Sequence, residues 1–422
     1  MPSRPEQRSR RSYLAAPPLT QSENAAEAAE VIRESPGPEG IVLAGALRDL
    51  MLWVETPESE RKAAFDPSGS VPRVEQIKAA GLDEDLWVPT LTLAGVVDDP
   101  CGANSRRLLY ACQRVVSWAE ERGRPATKLA FAQAAALLRP DDAKLALEVA
   151  RLARELGDQA RAESWFRHTV RLTRANDWET YVWAYVGLGV LYIRAGNLAG
   201  AQTVILRALK TATRHRLRPL AGIAHHHLFH LAAEAGRART ASEHVLAALN
   251  FYGPAHPRLP YLVSDLARFW LEIGQFRPSL ALFEKVILVL TDTNEQAMVS
   301  ANSTWAAALA ADPETYERLR RRTIALVRDT EGRSYLDDTY AAIASADLLM
   351  NNWQRAAVAA EEAVRLAVAG GNVEVRYKAE GLRDLALAEQ IPAHSPETAA
   401  AGFTRHAESL TGDLLNALAH MR

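Results

Sequence analysis

A chain of 422 residues with 48% hydrophobic and 24% charged side chains has ample apolar material for a folded core, and its formal net charge of -2 gives no bulk attraction to nucleic acid or to a membrane surface. No stretch approaches the ~18–20 consecutive apolar residues of a membrane span, so a soluble, cytoplasmic protein is expected. The two cysteines, Cys101 and Cys112, are eleven residues apart and have no further partners. That argues against a zinc site, and burial of both as small apolar residues is expected.

In chain order, residues 9–14 (SRRSYL) have the form of a twin-arginine export motif. Pro17-Pro18 and the polar residues after them interrupt the ~7–15-residue apolar core that a signal peptide requires. Residues 1–21 are therefore expected to be a disordered basic tail. Helix is expected from about Ser22, and again from Glu39 to Val54 after the Pro36-Gly37-Pro38 turn, with Leu43, Leu47, Leu50 and Val54 at helical spacing. Thr56-Pro57 reads as the cap and first residue of a short third helix. Beyond a loop at 66–70, residues 71–98 carry Trp87 and Val88 ahead of Pro89, and their local assignment stays open. Residues 22–103 are thus an irregular helical region covering the first of the repeats that follow.

Residues 185–209, YVGLGVLYIRAGNLAGAQTVILRAL, carry the clearest pattern. Tyr185, Leu188, Gly189 and Tyr192 fall on one helical face; Gly196-Asn197 breaks the helix; Leu198, Ala201, Ile205 and Ala208 resume the same period. Gly189 and Ala201 are small where two antiparallel helices must approach closely. Aligning the turn residue of each such hairpin gives Gly123, Gly157, Gly196, Gly236 and Gly274, then Asp312 and Asn351, at separations of 34, 39, 40, 38, 38 and 39 residues. Ala150, Ala162 and Phe166 match around Gly157. Leu266-Ala267, Trp270, Phe276 and Phe283 match around Gly274, with Pro278 unusually placed at the start of the second helix. Trp353, Ala356, Ala360 and Ala363 match around Asn351. The unit near Asp312 matches poorly, because Trp305 occupies the place of a small residue.

This order of aromatic, Leu-Gly, aromatic, turn glycine and alanine resembles the tetratricopeptide repeat (TPR) family, in its long-period bacterial form, over about residues 104–370. The resemblance implies an all-α fold: a right-handed α-solenoid of antiparallel helix pairs, with about six to seven repeats and helical caps. Extra residues recur between one hairpin and the next, at 214–219, 253–257 and 329–332, and so map to one face. Residues 371–422 are expected to be C-terminal capping helices. One spans 373–390 and ends at Ile391-Pro392. The other starts near Ser395-Pro396-Glu397, and its stripe of Phe403, Ala407, Leu410, Leu414 and Leu418 closes the open end or docks a partner.

His226 and His230, within the run His225-His226-His227, have the i, i+4 spacing of a shared metal site, but no HExxH pattern accompanies them. The repeat frame places His225 at an aromatic core position and the other two on the inner face, so no metal and no cofactor are expected. In the family that the chain resembles, the first helix of each pair lines a concave groove. Carried over position by position, this implies Gln113, Ser117, Leu147, Arg151, Trp183, Val190, Arg194, His226, His230, Tyr261, Ser264 and Arg268. Arginine engages carboxylates bidentately and Trp or Tyr offers a flat surface, a combination suited to an acidic or carboxylate-ended peptide. The Lys/Asn carboxylate clamp of chaperone-binding TPRs is lacking.

Arg318, Arg320, Arg321 and Arg322 read as a solvated helix face. The pairs Asp98-Asp99, Asp141-Asp142 and Asp337-Asp338 read as caps at helix starts. No phosphate loop, dinucleotide turn, nucleophile elbow, CxxC pair or helix-turn-helix is present. The expected function is a non-enzymatic protein-interaction scaffold binding a peptide or partner protein. The alternative is a peptide- or ligand-responsive regulator acting through a conformational change of the array, and an enzyme is a third reading.

Overall fold

Alanine and leucine, both strong helix formers, dominate the periodic segments of the chain, and the spacing of their apolar faces requires each helix to be covered by another. The structure, a computed structural model, describes residues 21–173, 177–253, 256–328, 335–391 and 401–421, and every regular element among them is helical. The twin-arginine tail, the insertion residues 254–255 and 329–332, the helix start expected near Ser395 and the side chain of Phe403 lie outside the described residues. Five N-terminal helices come first: α1 (Gln21–Glu34), α2 (Pro38–Glu55), α3 (Arg61–Ala64), α4 (Ser70–Ala79) and α5 (Glu84–Asp98). Seven antiparallel pairs follow: α6 (Ser105–Glu121) with α7 (Pro125–Leu138), α8 (Ala143–Glu155) with α9 (Gln159–Thr173), α10 (Trp178–Arg194) with α11 (Leu198–Arg214), α12 (Arg218–Glu234) with α13 (Ala238–Tyr252), α14 (Leu259–Glu272) with α15 (Phe276–Val286), α16 (Thr293–Leu309) with α17 (Pro313–Arg328), and α18 (Leu336–Leu349) with α19 (Trp353–Gly370). Then come α20 (Val373–Leu387) and α21 (Ala401–Ala419). The chain divides into two compact units, residues 1–220 and 221–422, the second beginning within α12.

One turn chemistry closes all seven pairs. A residue with positive φ follows each first helix: Gly123, Gly157, Gly196, Gly236, Gly274, Ala311 and Asn351. The next amide reaches back to a carbonyl five residues earlier, as Asn197 does to Tyr192 (2.8 Å) and Asp312 to Ala307 (3.0 Å). This satisfies carbonyls at the helix end that have no intrahelical partner. The sixth turn residue is therefore Ala311 and not Asp312, whose carboxylate caps α17 by accepting from the Thr315 amide at 3.0 Å. The one-residue shift also removes the Trp305 anomaly. Counting from Ala311, the small-residue position falls on the fully buried Thr304, as it falls on Gly189, Ala267 and Ala344 elsewhere. Ala311 is exposed and its φ of 55° is unfavourable for a residue with a Cβ. Ala311→Gly should stabilise the protein by about 1 kcal/mol. Removing the left-handed strain gains roughly 1–2 kcal/mol, and the extra freedom of glycine in the unfolded chain returns about half of it. A urea midpoint that stays level or falls would contradict this turn.

In the first unit α1, α2 and α5 pack against the first pair. The Glu34 carboxylate accepts from the amides of Ala126 and Thr127, both at 2.7 Å, so α1 caps the N-terminus of α7 across 92 residues of sequence. Arg124 reaches back to Ser35 and Glu39. Three local expectations fail here. Thr56 ends α2, its hydroxyl donating to the Leu52 carbonyl, and the short third helix starts only at Arg61. Asp98-Asp99 ends α5, with Asp99 accepting from the Gly102 amide at 2.8 Å. Cys101, in the turn after it, is exposed; Cys112 is buried, and burial pushes its thiol pKa up.

Helices α9, α10 and α11 approach one another closely at two glycines. A Cβ on Gly187 would run into the Phe166 ring, and one on Gly189 into the Ile205 side chain. In the second unit, Ala407, Leu410, Leu414 and Leu418 are buried as a stripe. They are received by α13, α14 and α15, where the Trp270 indole N–H donates to the Thr411 hydroxyl at 3.2 Å. The terminal cap expected for this helix is thus a helix folded back onto an earlier pair.

The arginine run on α17 is not a uniformly solvated face. Arg318 and Arg355 pair at the surface with Glu284 and Glu317. Arg320 instead turns inward and grips the fully buried Asp347 with two bonds of 2.6 and 2.8 Å. Tyr316 donates to the same carboxylate at 2.6 Å and accepts from Asn352 at 3.0 Å. Burial, then the Asp347 carboxylate, raise the Tyr316 pKa.

Candidate functional site

The first helices of successive pairs line a cleft in each unit. In the first unit a concavity of roughly 670 Å³ lies along α6, α8 and α10, with Lys128 of α7 at its edge. Arg151 and Trp183 meet there, the guanidinium 4.7 Å from the centre of the indole ring, a cation–π contact. Around them stand five carboxylates (Glu120, Glu148, Glu155, Asp177 and Glu179) and three cations (Lys128, Lys144 and Arg151). Lys128 is paired with Glu120 at 2.8 Å. Burial raises the Glu148 pKa, with Glu120 adding to it and Lys128 opposing. Val190, half-buried, and Arg194, exposed, sit further along α10, beyond the lining.

In the second unit a cleft of roughly 310 Å³ runs along α14, α16, α18 and α20. Ser264 and Arg268 are part of its lining. Asp265, Glu272, Asp338 and Glu374 supply four carboxylates against two cations, Arg268 and Lys378. Trp305 forms its flat surface, with the Lys378 ammonium 5.7 Å from the ring centre. The pKa of Glu272 is raised by burial and by nearby Glu234, and that of Asp338 by burial and by Asp337. Tyr261, one turn before Ser264 and exposed, donates its hydroxyl to Glu295 at 3.0 Å.

His226 and His230 come together with Asp265, which the sequence did not single out. Both imidazoles contact one carboxylate oxygen, at 2.9 Å from His226 Nε2 and 3.2 Å from His230 Nε2. Their rings stack at 5.1 Å, as the i, i+4 spacing on α12 dictates. Burial lowers the His226 pKa, partly offset by the bond to Asp265. Burial alone would raise the Asp265 carboxyl, but the two histidine contacts outweigh it and hold it well below the usual carboxylate range. His225 stacks on Phe251 at 5.5 Å and contacts His244 through Nδ1 at 3.1 Å, half-buried as the aromatic frame requires.

Seven pairs, one shared turn and clefts along the first helices define the class: a TPR-like, all-α helical-hairpin repeat protein. Among solved structures, the chain is similar to the apo form of RapI, with 14% identity over 67% of this chain and 98% of that one, at a TM-score of 0.46. It is also similar to the APC/C hetero-tetramer Cut9–Hcn1, with 13% identity over 87% of this chain and 59% of that one, at a TM-score of 0.46. A tetratricopeptide repeat protein from Parabacteroides merdae ATCC 43184 shares 15% identity over 76% of this chain and 98% of its own, at a TM-score of 0.38. No family model and no curated protein matches the chain. No helix among the described residues is long and apolar enough to cross a membrane.

Proposed function

We propose that this protein is a non-enzymatic scaffold that holds segments of a partner protein in the clefts along its first helices. The observation that carries this reading is the lining: in each unit, carboxylates outnumber cations around a flat indole surface. Such a surface suits a segment that carries basic residues, whose cations meet carboxylates and whose stems lie along the aromatic face. The acidic partner expected from Arg151, Arg194 and Arg268 is less well supported. Arg151 is spent on Trp183, Arg194 lies outside the lining, and Arg268 has Glu272 within 4.0 Å.

Partner capture from a lysate of the source cells, followed by mass spectrometry, tests this by the sign of its response to charge. Glu148→Gln with Glu155→Lys should lower recovery several-fold, and rising salt should do the same. Arg268→Glu should leave recovery unchanged or raise it, and Arg321→Glu with Arg322→Glu, on an exposed stretch of α17, should have no effect. Circular dichroism first confirms that each variant is folded. Loss of capture in Arg268→Glu with retention in the Glu148 and Glu155 variant would reverse the sign and sink the reading.

A further inference from the structure

We propose that His226, His230 and Asp265 bind one divalent first-row transition-metal ion, with zinc as the reference ion. The three ligand atoms lie within 4.8 Å of one another, and they come from two helices, α12 and α14. Around a tetrahedral ion with bonds of about 2.0–2.1 Å, ligand atoms stand about 3.3–3.4 Å apart. The observed separations of 2.9 and 3.2 Å from Asp265 Oδ2 fall a few tenths of an ångström short of this, and the two imidazole nitrogens lie within 4.8 Å of each other, so small side-chain rotations on the two helices would set the ligands around an ion.

The donor set selects the class of ion. Two imidazoles and one carboxylate suit zinc and its neighbours, whereas magnesium and calcium take oxygen ligands. Three protein ligands leave a position open for water or for an atom of another molecule. Asp265 also lines the cleft of the second unit beside Arg268, so the ion is approached from that cleft. A second observation points the same way. Tyr252 packs edge-on against His226 with ring centres 6.4 Å apart, and only 8% of it is exposed. Its buried hydroxyl has no hydrogen-bond partner among the described residues. Buried hydroxyls are normally satisfied, so an unpartnered one packed against His226 marks the surroundings of this cluster as incomplete without a further group. The inference does not depend on the partner reading, since an ion can bind whatever occupies the rest of the cleft.

The test uses tag-free full-length protein, stripped with a chelator and dialysed. Cobalt(II) titrated into it should give visible ligand-field absorption that saturates at one ion per chain, and zinc should displace it. Asp265→Asn and His230→Gln should each weaken zinc binding at least about 100-fold, because losing even an outer-shell partner costs up to that factor. His225→Gln with His244→Gln, which removes the other histidine pair, should bind as the wild type does. No saturable cobalt absorption, or one equivalent retained by both ligand variants, would overturn the proposal. If a ligand variant fails to fold, imidazole NMR of the wild type decides. The first equivalent of zinc must shift the ring nitrogens of His226 and His230 and leave His168 and His244 in place; any other pattern rejects the site.

Discussion

Arg320→Ala is expected to destabilise the second unit by about 3–5 kcal/mol, the usual result of stripping one partner from a buried ion pair. Asp347 is fully buried and, among the described residues, would keep Tyr316 alone as a side-chain donor, against the two additional bonds it now receives from Arg320. The cost arises from the uncompensated charge more than from the pair itself. Replacing both partners together, Arg320→Met with Asp347→Leu, should therefore cost far less than the single change. Urea unfolding of the two single variants and the double variant measures this directly. A loss below about 1 kcal/mol for Arg320→Ala would mean that the guanidinium is not engaged as described. The contrast with Arg321 and Arg322 is sharp: both are exposed, and their reversal should change stability by no more than about 0.5 kcal/mol.

Gly189→Leu should cost the first unit about 3 kcal/mol or more. Even the first added carbon collides with Ile205, which is itself fully buried, and three further carbons have no space beside α11. Because each pair in a repeat stack is supported by its neighbours, the loss should appear as faster amide exchange in α8–α11, with α18 and α19 unaffected. Thermal unfolding like that of the wild type would show that α10 and α11 do not cross at Gly189.

The hairpins were legible because their turns need a residue without a Cβ penalty. Gly123, Gly157, Gly196, Gly236 and Gly274 announce left-handed backbone, and Asn351 does so less strongly. Ala311 carries no such signal, and Asp312 beside it has turn chemistry of its own, so the pattern places the sixth turn one residue late. The same hairpin hides its core in polar side chains. Ser300, Thr304 and Thr323 bond to one another at 2.8 and 3.1 Å, and Tyr316, Arg320 and Asp347 form the buried network. A search for apolar periodicity passes over both groups.

The site was legible only in part, for a related reason. Offsets within a repeat point to Arg151, Trp183, Ser264 and Arg268, which line the two clefts, because these positions depend on one helix alone. They could not find Asp265 opposite His226 and His230, nor Lys378 over Trp305, since those meetings depend on how one pair packs against another. The N-terminal region gave least. The carboxylate of Glu34 and the amides it caps are far apart in sequence, and nothing local in either stretch marks the other.

The fold-back of α21 has a consequence for the order of events at the ribosome. Trp270, fully buried in the finished protein, donates to Thr411, 141 residues further along. At about 5–20 residues per second, roughly 7–28 s of translation separate the two. During that interval α13, α14 and α15 are already made, yet the apolar groove that receives Leu410, Leu414 and Leu418 has no occupant. The nascent chain thus carries a temporary sticky surface until α21 is made and withdraws it from solvent.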